Sequence, residues 1–117
     1  MEPFVLVGIG GAIGSIFRFE CAKLQPVQGL PVGTALVNIL GSFAFSLVVF
    51  ATPSDTIYSL IGIGALGGFT TFSTFCFETF RMLEDHDYHT MVTNMLINVA
   101  GSLAGVYGGY LLVSWLM

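Results

Sequence analysis

The chain has 117 residues, of which 55% are hydrophobic and only 9% are charged, and its formal net charge is −4. Its mean hydropathy is +0.88, whereas a soluble domain carries about 25% charged residues. The chain therefore lacks the polar side chains that would cover a water-facing surface. This composition excludes a soluble globular protein and predicts an all-α integral membrane protein, because each crossing of a bilayer takes about 20 apolar residues.

Four apolar segments predict four transmembrane helices in a single domain covering residues 1–117. The predicted helices lie at about 4–21, 32–51, 57–82 and 91–117. The stretches between them carry turn-forming residues, as in Gln25-Pro26, Thr52-Pro53-Ser54-Asp55 and Glu84-Asp85-His86-Asp87. An even number of crossings places both termini on the same side. The opening Met1-Glu2-Pro3 lacks the basic start of a signal peptide, so we expect the first helix to be retained.

Glycines recur on the first, third and fourth segments at helix-contact spacing. Gly10 pairs with Gly14 and Gly64 with Gly68, and a longer seam comprises Gly101, Gly105 and Gly109. Such stripes let helix backbones approach closely in a membrane. They predict tight packing within the chain, between chains, or both.

The third segment is the unusual one. It would span about 39 Å at 1.5 Å per residue, which is more than a straight crossing requires. Its middle reads Gly67-Gly68-Phe69-Thr70-Thr71-Phe72-Ser73-Thr74-Phe75, where a spanning helix normally carries leucine and valine. We expect the helix to be broken at mid-membrane. Such a break is tolerated only where the freed backbone groups are buried in protein or line a wet cavity.

Polar side chains follow one face of the second and fourth segments. They are Thr34, Asn38 and Ser42 on the second, and Asn94, Asn98 and Ser102 on the fourth, each at positions i, i+4 and i+8. Two interpretations fit this spacing. The tracks line an ion path by replacing part of a hydration shell, or they are hydrogen bonds that join membrane helices.

Rings and charges near the predicted break also have two interpretations. Phe69, Phe72 and Phe75 share a face if the chain is helical from Thr70 onward, either as lipid-facing or core rings or as ring edges that meet a small anion. A restarted helix offers N–H groups to an anion, whereas the carbonyls before it suit a cation. Arg18 either snorkels to the interface or forms a mouth that attracts anions.

Patterns for covalent chemistry are missing from the sequence. Cys21 and Cys76 lie in or beside apolar segments, so we expect buried small side chains rather than a disulfide or metal pair. The sequence contains no nucleophile–base pair, no His/Cys metal spacing and no phosphate loop, so we do not expect an enzyme. Glu20 and Glu78 are expected at the membrane interface. The sequence therefore predicts no pair of acids at mid-membrane, which a proton relay would need.

The motifs together resemble the Fluc (CrcB) family of fluoride channels over essentially the whole chain. The matching elements are Gly8 through Arg18, Gly33-Thr34 with Asn38 and Gly41-Ser42, and Gly67 through Phe75. The resemblance implies an antiparallel, dual-topology homodimer with two pores in the plasma membrane. It implies passive export of cytoplasmic fluoride, which gives fluoride resistance, and no nucleic-acid partner.

The resemblance also implies roles for individual residues. Phe72 and Phe75 match the family's phenylalanine box, and the carbonyls of Gly67 and Thr70 match a structural sodium site shared by both subunits, with no organic cofactor. Asn94 and Asn98 match by register rather than by identity. The implied fluoride pathway comprises Phe72, Phe75, Asn38, Thr34, Ser73, Thr74, Asn94, Asn98, Ser102 and Arg18.

Two other hypotheses remain at this point. A small multidrug-resistance-type, proton-coupled four-helix transporter needs a membrane-embedded carboxylate on the first helix, and the candidate, Glu20, lies near the helix end. A structural subunit of a larger membrane complex would use the polar tracks only to join helices. Arg18, Lys23 and Arg81 all fall on the side where the first and third helices end. That small bias leaves a paired heterodimer open as well.

Overall fold

The computed structural model describes residues 2–51 and 53–117. Four helical stretches within these ranges are long and apolar enough to cross a membrane: Pro3–Cys21, Val32–Ala51, Asp55–Glu84 and Tyr88–Leu116. The prediction of four membrane-spanning helices is confirmed, and no β-strand occurs in the described ranges. Met1 and Thr52, which belong to the predicted N-terminus and second turn, lie outside the described residues.

The third crossing consists of several helical pieces, whereas the other three are single helices. In chain order the described elements are α1 (Pro3–Cys21), α2 (Val32–Ala51), α3 (Asp55–Ile57), a π-helix (Tyr58–Leu66), α4 (Gly67–Phe69), α5 (Phe72–Glu84) and α6 (Tyr88–Leu116). The i→i+5 winding of a π-helix puts more residues into each turn, so it takes up part of the extra length that the sequence indicated.

Side-chain caps set where several helices begin. Ser54 accepts a hydrogen bond from the Ile57 N–H at 3.4 Å, and Asp87 accepts one from the Thr90 N–H at 3.3 Å. These polar caps start α3 and α6 two or three residues before the predicted segments, which were counted from their apolar residues. Pro3 opens α1, where its missing N–H leaves no intrahelical bond unmade.

Two residues in extended conformation interrupt the third crossing. Thr70 has φ −79° and ψ 158°, and Thr71 has φ −148° and ψ 117°. Phe69 therefore ends α4 before the interruption and does not continue the helical face of Phe72 and Phe75 in α5. The shared face of three rings that the sequence suggested is reduced to two.

The helices pack closely in two groups. One is α1 with the π-helix and α4, and the other is α2 with α6, while α5 lies mainly against α6. A Cβ atom at Gly10 or Gly14 would overlap the backbone carbonyl oxygen of Leu60 or Ala65. The glycine seam of α6 faces α2, where added Cβ atoms would meet Ile39 and Ser46. Both sets of glycines thus serve packing within the chain.

A single chain is thin and has little core of its own. It measures 48 × 32 × 19 Å, and 19 Å is about two helix diameters. Among the described residues the buried hydrophobic side chains are Leu6, Ala35, Val37 and Phe75. Most large apolar side chains consequently face outward.

One expectation about α5 is wrong, and the interfacial position of Glu78 stays a prediction. Cys76 is exposed rather than buried, although it and Cys21 are free thiols. It follows the buried Phe75 by one residue, which turns its side chain about 100° away from the packed face. Glu78 follows Phe75 by three residues and so lies on the packed face. It is half-buried, and its Oε1 atom is buried without a hydrogen-bond partner among the described residues.

Candidate functional site

A groove and a smaller cavity meet at the extended residues. The groove, of about 680 Å³, opens between α2, the third crossing and α6. Seven of the predicted site residues line it: Asn38, Gly67, Thr70, Phe72, Phe75, Asn98 and Ser102. Its remaining walls are mostly apolar, and it also takes in Ser42 and Thr71. A polar strip thus crosses an otherwise apolar face of the subunit.

The smaller cavity, of about 190 Å³, lies between α1, α2 and the start of α5, and we call it the Arg18 cavity. Besides Arg18 it is lined by the hydroxyl-bearing residues Ser15, Thr34, Thr71 and Thr74. In residues 2–51 and 53–117 the one ion pair joins Lys23 to Glu20 at 3.2 Å, so the guanidinium of Arg18 has no carboxylate partner there. A positive charge surrounded by hydroxyl donors is an environment that favours an anion.

The two phenylalanines of α5 differ in their surroundings. Phe72, at the first position of the helix, is 77% exposed in the groove, whereas Phe75 is only 9% exposed. Their ring centroids lie 5.9 Å apart with 38° between the planes. Ring edges carry a partial positive charge, so this pair offers weakly electropositive walls beside the polar residues of the groove.

Amide side chains tie α2, α6 and the interruption together. The Asn38 Nδ2 donates to the Thr71 carbonyl and to the Asn98 Oδ1, each at 3.0 Å. The Asn98 Nδ2 donates to the Asn94 carbonyl and Oδ1 at 3.0 and 3.1 Å, and the Asn94 Nδ2 donates to the Thr79 Oγ1 at 3.1 Å. The three asparagines therefore join helices, while the serines of the same tracks, Ser42 and Ser102, line the groove.

The hydrogen bonds around the interruption release two backbone carbonyls. In a continuous helix the N–H of Thr71 would bond the carbonyl of Gly67, and that of Thr74 would bond Thr70. Instead the Thr71 N–H donates to the Asn38 Oδ1 at 2.8 Å, and the Thr74 N–H donates to the Thr71 Oγ1 at 3.0 Å. These are the two carbonyls for which the family resemblance implies a cation, and both lack their helical donors.

The remaining predicted residues lie outside the groove. Arg18, Thr34 and Thr74 are in the Arg18 cavity, whereas Ser73 and Asn94 line neither space. Ser73 is exposed on α5, and Asn94 is fully buried at 0% exposure. Sequence reasoning did not single out Thr71, which lines both spaces. Its position beside the glycine pair was a usable signal, but its partner Asn38 is 33 residues away.

Fold and site together define a small multi-pass membrane protein with a polar and aromatic groove across its apolar surface. The family model described as "CrcB-like protein, Camphor Resistance (CrcB)" matches residues 5–110. The chain belongs to this CrcB family.

Named relatives cover nearly the full chain. Residues of this chain are 42% identical to the fluoride-specific ion channel FluC 3 of Methanosarcina acetivorans, over 91% of this chain and 96% of that one. The fluoride-specific ion channel FluC of Methanocaldococcus jannaschii is also 42% identical, over 96% and 94% of the two chains. FluC 1 of Methanosarcina barkeri is 38% identical, over 97% and 99%.

Proposed function

We propose that this protein is a fluoride-selective channel through which cytoplasmic fluoride leaves the cell passively, down its electrochemical gradient. The observation that carries the proposal is the groove, in which polar residues and two phenylalanines share a wall within a membrane-spanning surface. The identity of the ion comes from the relatives, which are fluoride-specific ion channels. Export of this kind gives the cell resistance to fluoride and places the protein in the plasma membrane.

The pathway we propose begins in the Arg18 cavity and continues into the groove. Arg18 draws the anion in, and Thr34 and Thr74 offer hydroxyl donors in the same cavity. Ser73 is exposed at the start of α5, outside both spaces, and would join the pathway only in the assembled dimer. The ring edges of Phe72 and Phe75 then flank the ion, and Asn38, Asn98 and Ser102 line the wall beyond them. Asn94 supports that wall from its fully buried position. A path narrowed by the partner copy, with few donors, would disfavour the larger chloride.

A second copy of the chain is the partner that this proposal requires. Polar groups left facing lipid cost several kcal/mol each, and one chain leaves the groove open to its surroundings. We propose an antiparallel, dual-topology homodimer in which each copy covers the other's groove, which produces two pores. The thinness of one subunit, 19 Å, and its small core support the same arrangement.

A sodium ion is the proposed structural cofactor at the dimer axis. The carbonyls of Gly67 and Thr70 fit this role, because both are freed from helical hydrogen bonds by the contacts of Thr71 and Thr74. Unwound carbonyls are recognised sodium ligands in membrane proteins. The neighbouring Thr71 carbonyl is already occupied by the Asn38 amide. Two carbonyls from each copy would supply four oxygens.

The alternative transporter has less support. Its candidate carboxylate, Glu20, is exposed one residue before the end of α1 and is paired with Lys23 at 3.2 Å, so it is not the free, helix-centre acid that such a transporter needs. The structural-subunit hypothesis accounts for the asparagines, but it leaves the open polar groove unexplained. Both remain outcomes of the experiment that follows.

Fluoride efflux from liposomes tests the proposal. Purified protein is reconstituted into vesicles loaded with potassium fluoride, and a potassium ionophore is added to balance the charge. We expect rapid fluoride release recorded by a fluoride electrode, with no comparable release of chloride from matched vesicles. Protein-free vesicles set the background. Equal release of the two halides, or none, would contradict the proposal, and proton-driven uptake of a lipophilic cation would favour the transporter.

A further inference from the structure

We infer that Asn38 acts as a latch on the interrupted helix, and that Asn98 is the positioning residue that fixes the orientation of its amide. The amide of Asn38 bonds both backbone groups of Thr71. Its Oδ1 accepts from the Thr71 N–H at 2.8 Å, and its Nδ2 donates to the Thr71 carbonyl at 3.0 Å. A neighbouring β-strand would satisfy an extended residue with the same pair of bonds. One side chain on α2 replaces that strand.

The orientation of the Asn38 amide is set by two backbone groups, the Asn94 carbonyl at one end of the hydrogen-bond chain and the Thr71 N–H at the other. A carbonyl only accepts, so the Asn94 carbonyl requires the Nδ2 of Asn98 to face it, at 3.0 Å. The Oδ1 of Asn98 must then face Asn38 and accepts from its Nδ2 at 3.0 Å. That leaves the Oδ1 of Asn38 for the N–H of Thr71, a group that can only donate.

Burial makes this order costly to break. Asn98 is buried on α6, and the Asn38 side chain spans the gap between α6 and the interruption. A flipped Asn38 amide would set a donor against the Thr71 N–H, and an acceptor against both the Thr71 carbonyl and the Asn98 Oδ1. A buried polar group without a partner costs more free energy than a solvent-exposed hydrogen bond contributes.

Both amide hydrogens of Asn38 are therefore spent within the protein. A passing anion obtains an N–H from Asn38 only by displacing the Thr71 carbonyl or the Asn98 Oδ1. This role differs from that of a standing pore donor. The latch is also the reason that the Thr71 N–H does not return to the Gly67 carbonyl.

Hydrogen exchange at the Thr71 amide tests the inference without reference to fluoride. The protein is reconstituted in lipid and exchange is followed by mass spectrometry on peptides that contain residues 70–73. We expect Asn38→Ala and Asn98→Leu each to accelerate exchange at Thr71 about tenfold, the equivalent of one lost hydrogen bond of about 1.4 kcal/mol. Asn98→Ser retains a hydroxyl that donates to the Asn94 carbonyl and accepts from Asn38. It should stay within about threefold of the parent rate, because it preserves the order of donors and acceptors.

Ser46→Ala is the matched control. It removes another buried bond between α2 and α6, from the Ser46 hydroxyl to the Val106 carbonyl at 2.7 Å, without touching the latch. Parent-like exchange in Asn98→Leu, or equal acceleration in Ser46→Ala, would overturn the inference. If Asn98→Leu does not fold, the other three variants decide. Faster exchange at Thr71 in Asn38→Ala than in Asn98→Ser and Ser46→Ala supports the inference, and equal exchange in all three overturns it. If Asn38→Ala loses fluoride flux but keeps the parent rate of exchange at Thr71, the latch role of Asn38 is overturned, whereas the proposed channel function is not.

Discussion

Replacing Gly14 by alanine should destabilise the protein, whereas the same replacement at Gly8 on the same helix should not. A Cβ at Gly14 would overlap the Ala65 carbonyl and lie 3.0 Å from the Phe69 backbone nitrogen. These are backbone atoms, so α1 and the third crossing must separate to admit the methyl group. At Gly8 no atom lies within 4 Å of the added Cβ.

The two substitutions should change the free energy of unfolding in opposite directions. Alanine in place of glycine within a helix contributes about 1 kcal/mol of stability. Overpacking costs about 1–3 kcal/mol, and contact with rigid backbone places Gly14→Ala at the upper end. We expect a net loss of about 2 kcal/mol for Gly14→Ala and a gain of up to about 1 kcal/mol for Gly8→Ala. The two variants should then differ by roughly a hundredfold in their unfolding equilibria.

Unfolding in mixed micelles with increasing SDS, followed by far-UV circular dichroism, measures this difference. Size-exclusion chromatography before each titration keeps the comparison within one oligomeric state. Equal stability of Gly8→Ala and Gly14→Ala would refute the close approach of α1 to the third crossing, since propensity alone treats both positions alike. Gly10→Ala, whose Cβ would overlap the Leu60 carbonyl, should follow Gly14→Ala.

Three further predictions concern the ion pathway, the partner and the cation. Phe72→Ile and Phe75→Ile should each lower fluoride flux at least tenfold, while Phe80→Ile, an exposed ring outside both spaces, should not; full flux in both groove variants would remove the rings from the pathway. Gly67→Leu should weaken the dimer in light-scattering measurements, because Gly67 is open in a single chain and is proposed to lie at the twofold axis. Gly8→Leu serves as its control, and an intact Gly67→Leu dimer would place the interface elsewhere. Replacing sodium by N-methylglucamine should lower stability by about 2.7 kcal/mol if sodium had been present at about 100 times its dissociation constant, whereas a thermal midpoint independent of sodium would contradict the site.

Local sequence features predicted the crossings well because hydropathy depends on composition rather than on partners. Four apolar segments correspond to four helices that can span a membrane. The polar caps Ser54 and Asp87 account for the earlier starts of α3 and α6. The glycine pairs indicated close helix contacts, but only the structure shows that Gly10 and Gly14 meet the π-helix and α4 within the same chain.

The details of the site depended on contacts that spacing does not encode. An interruption resets the helical register, so the sequence could not say which of the hydroxyls after Gly68 turn into a cavity. Thr74 lines the Arg18 cavity and Ser73 lines neither space. The bonds from Asn38 to Thr71 and to Asn98 span 33 and 60 residues. The π-helix had no sequence signature that we could use.

Thr71 borders the groove on one side and the Arg18 cavity on the other. The two spaces therefore share this residue, and a substitution that moves Thr71 from one side alters the other. Changes at Asn38 in the groove and at Thr74 in the Arg18 cavity should combine non-additively, because both side chains bond Thr71. Whether a substitution in the groove is tolerated should then depend on the residues that line the Arg18 cavity. We therefore expect substitutions in the two spaces to be epistatic during evolution.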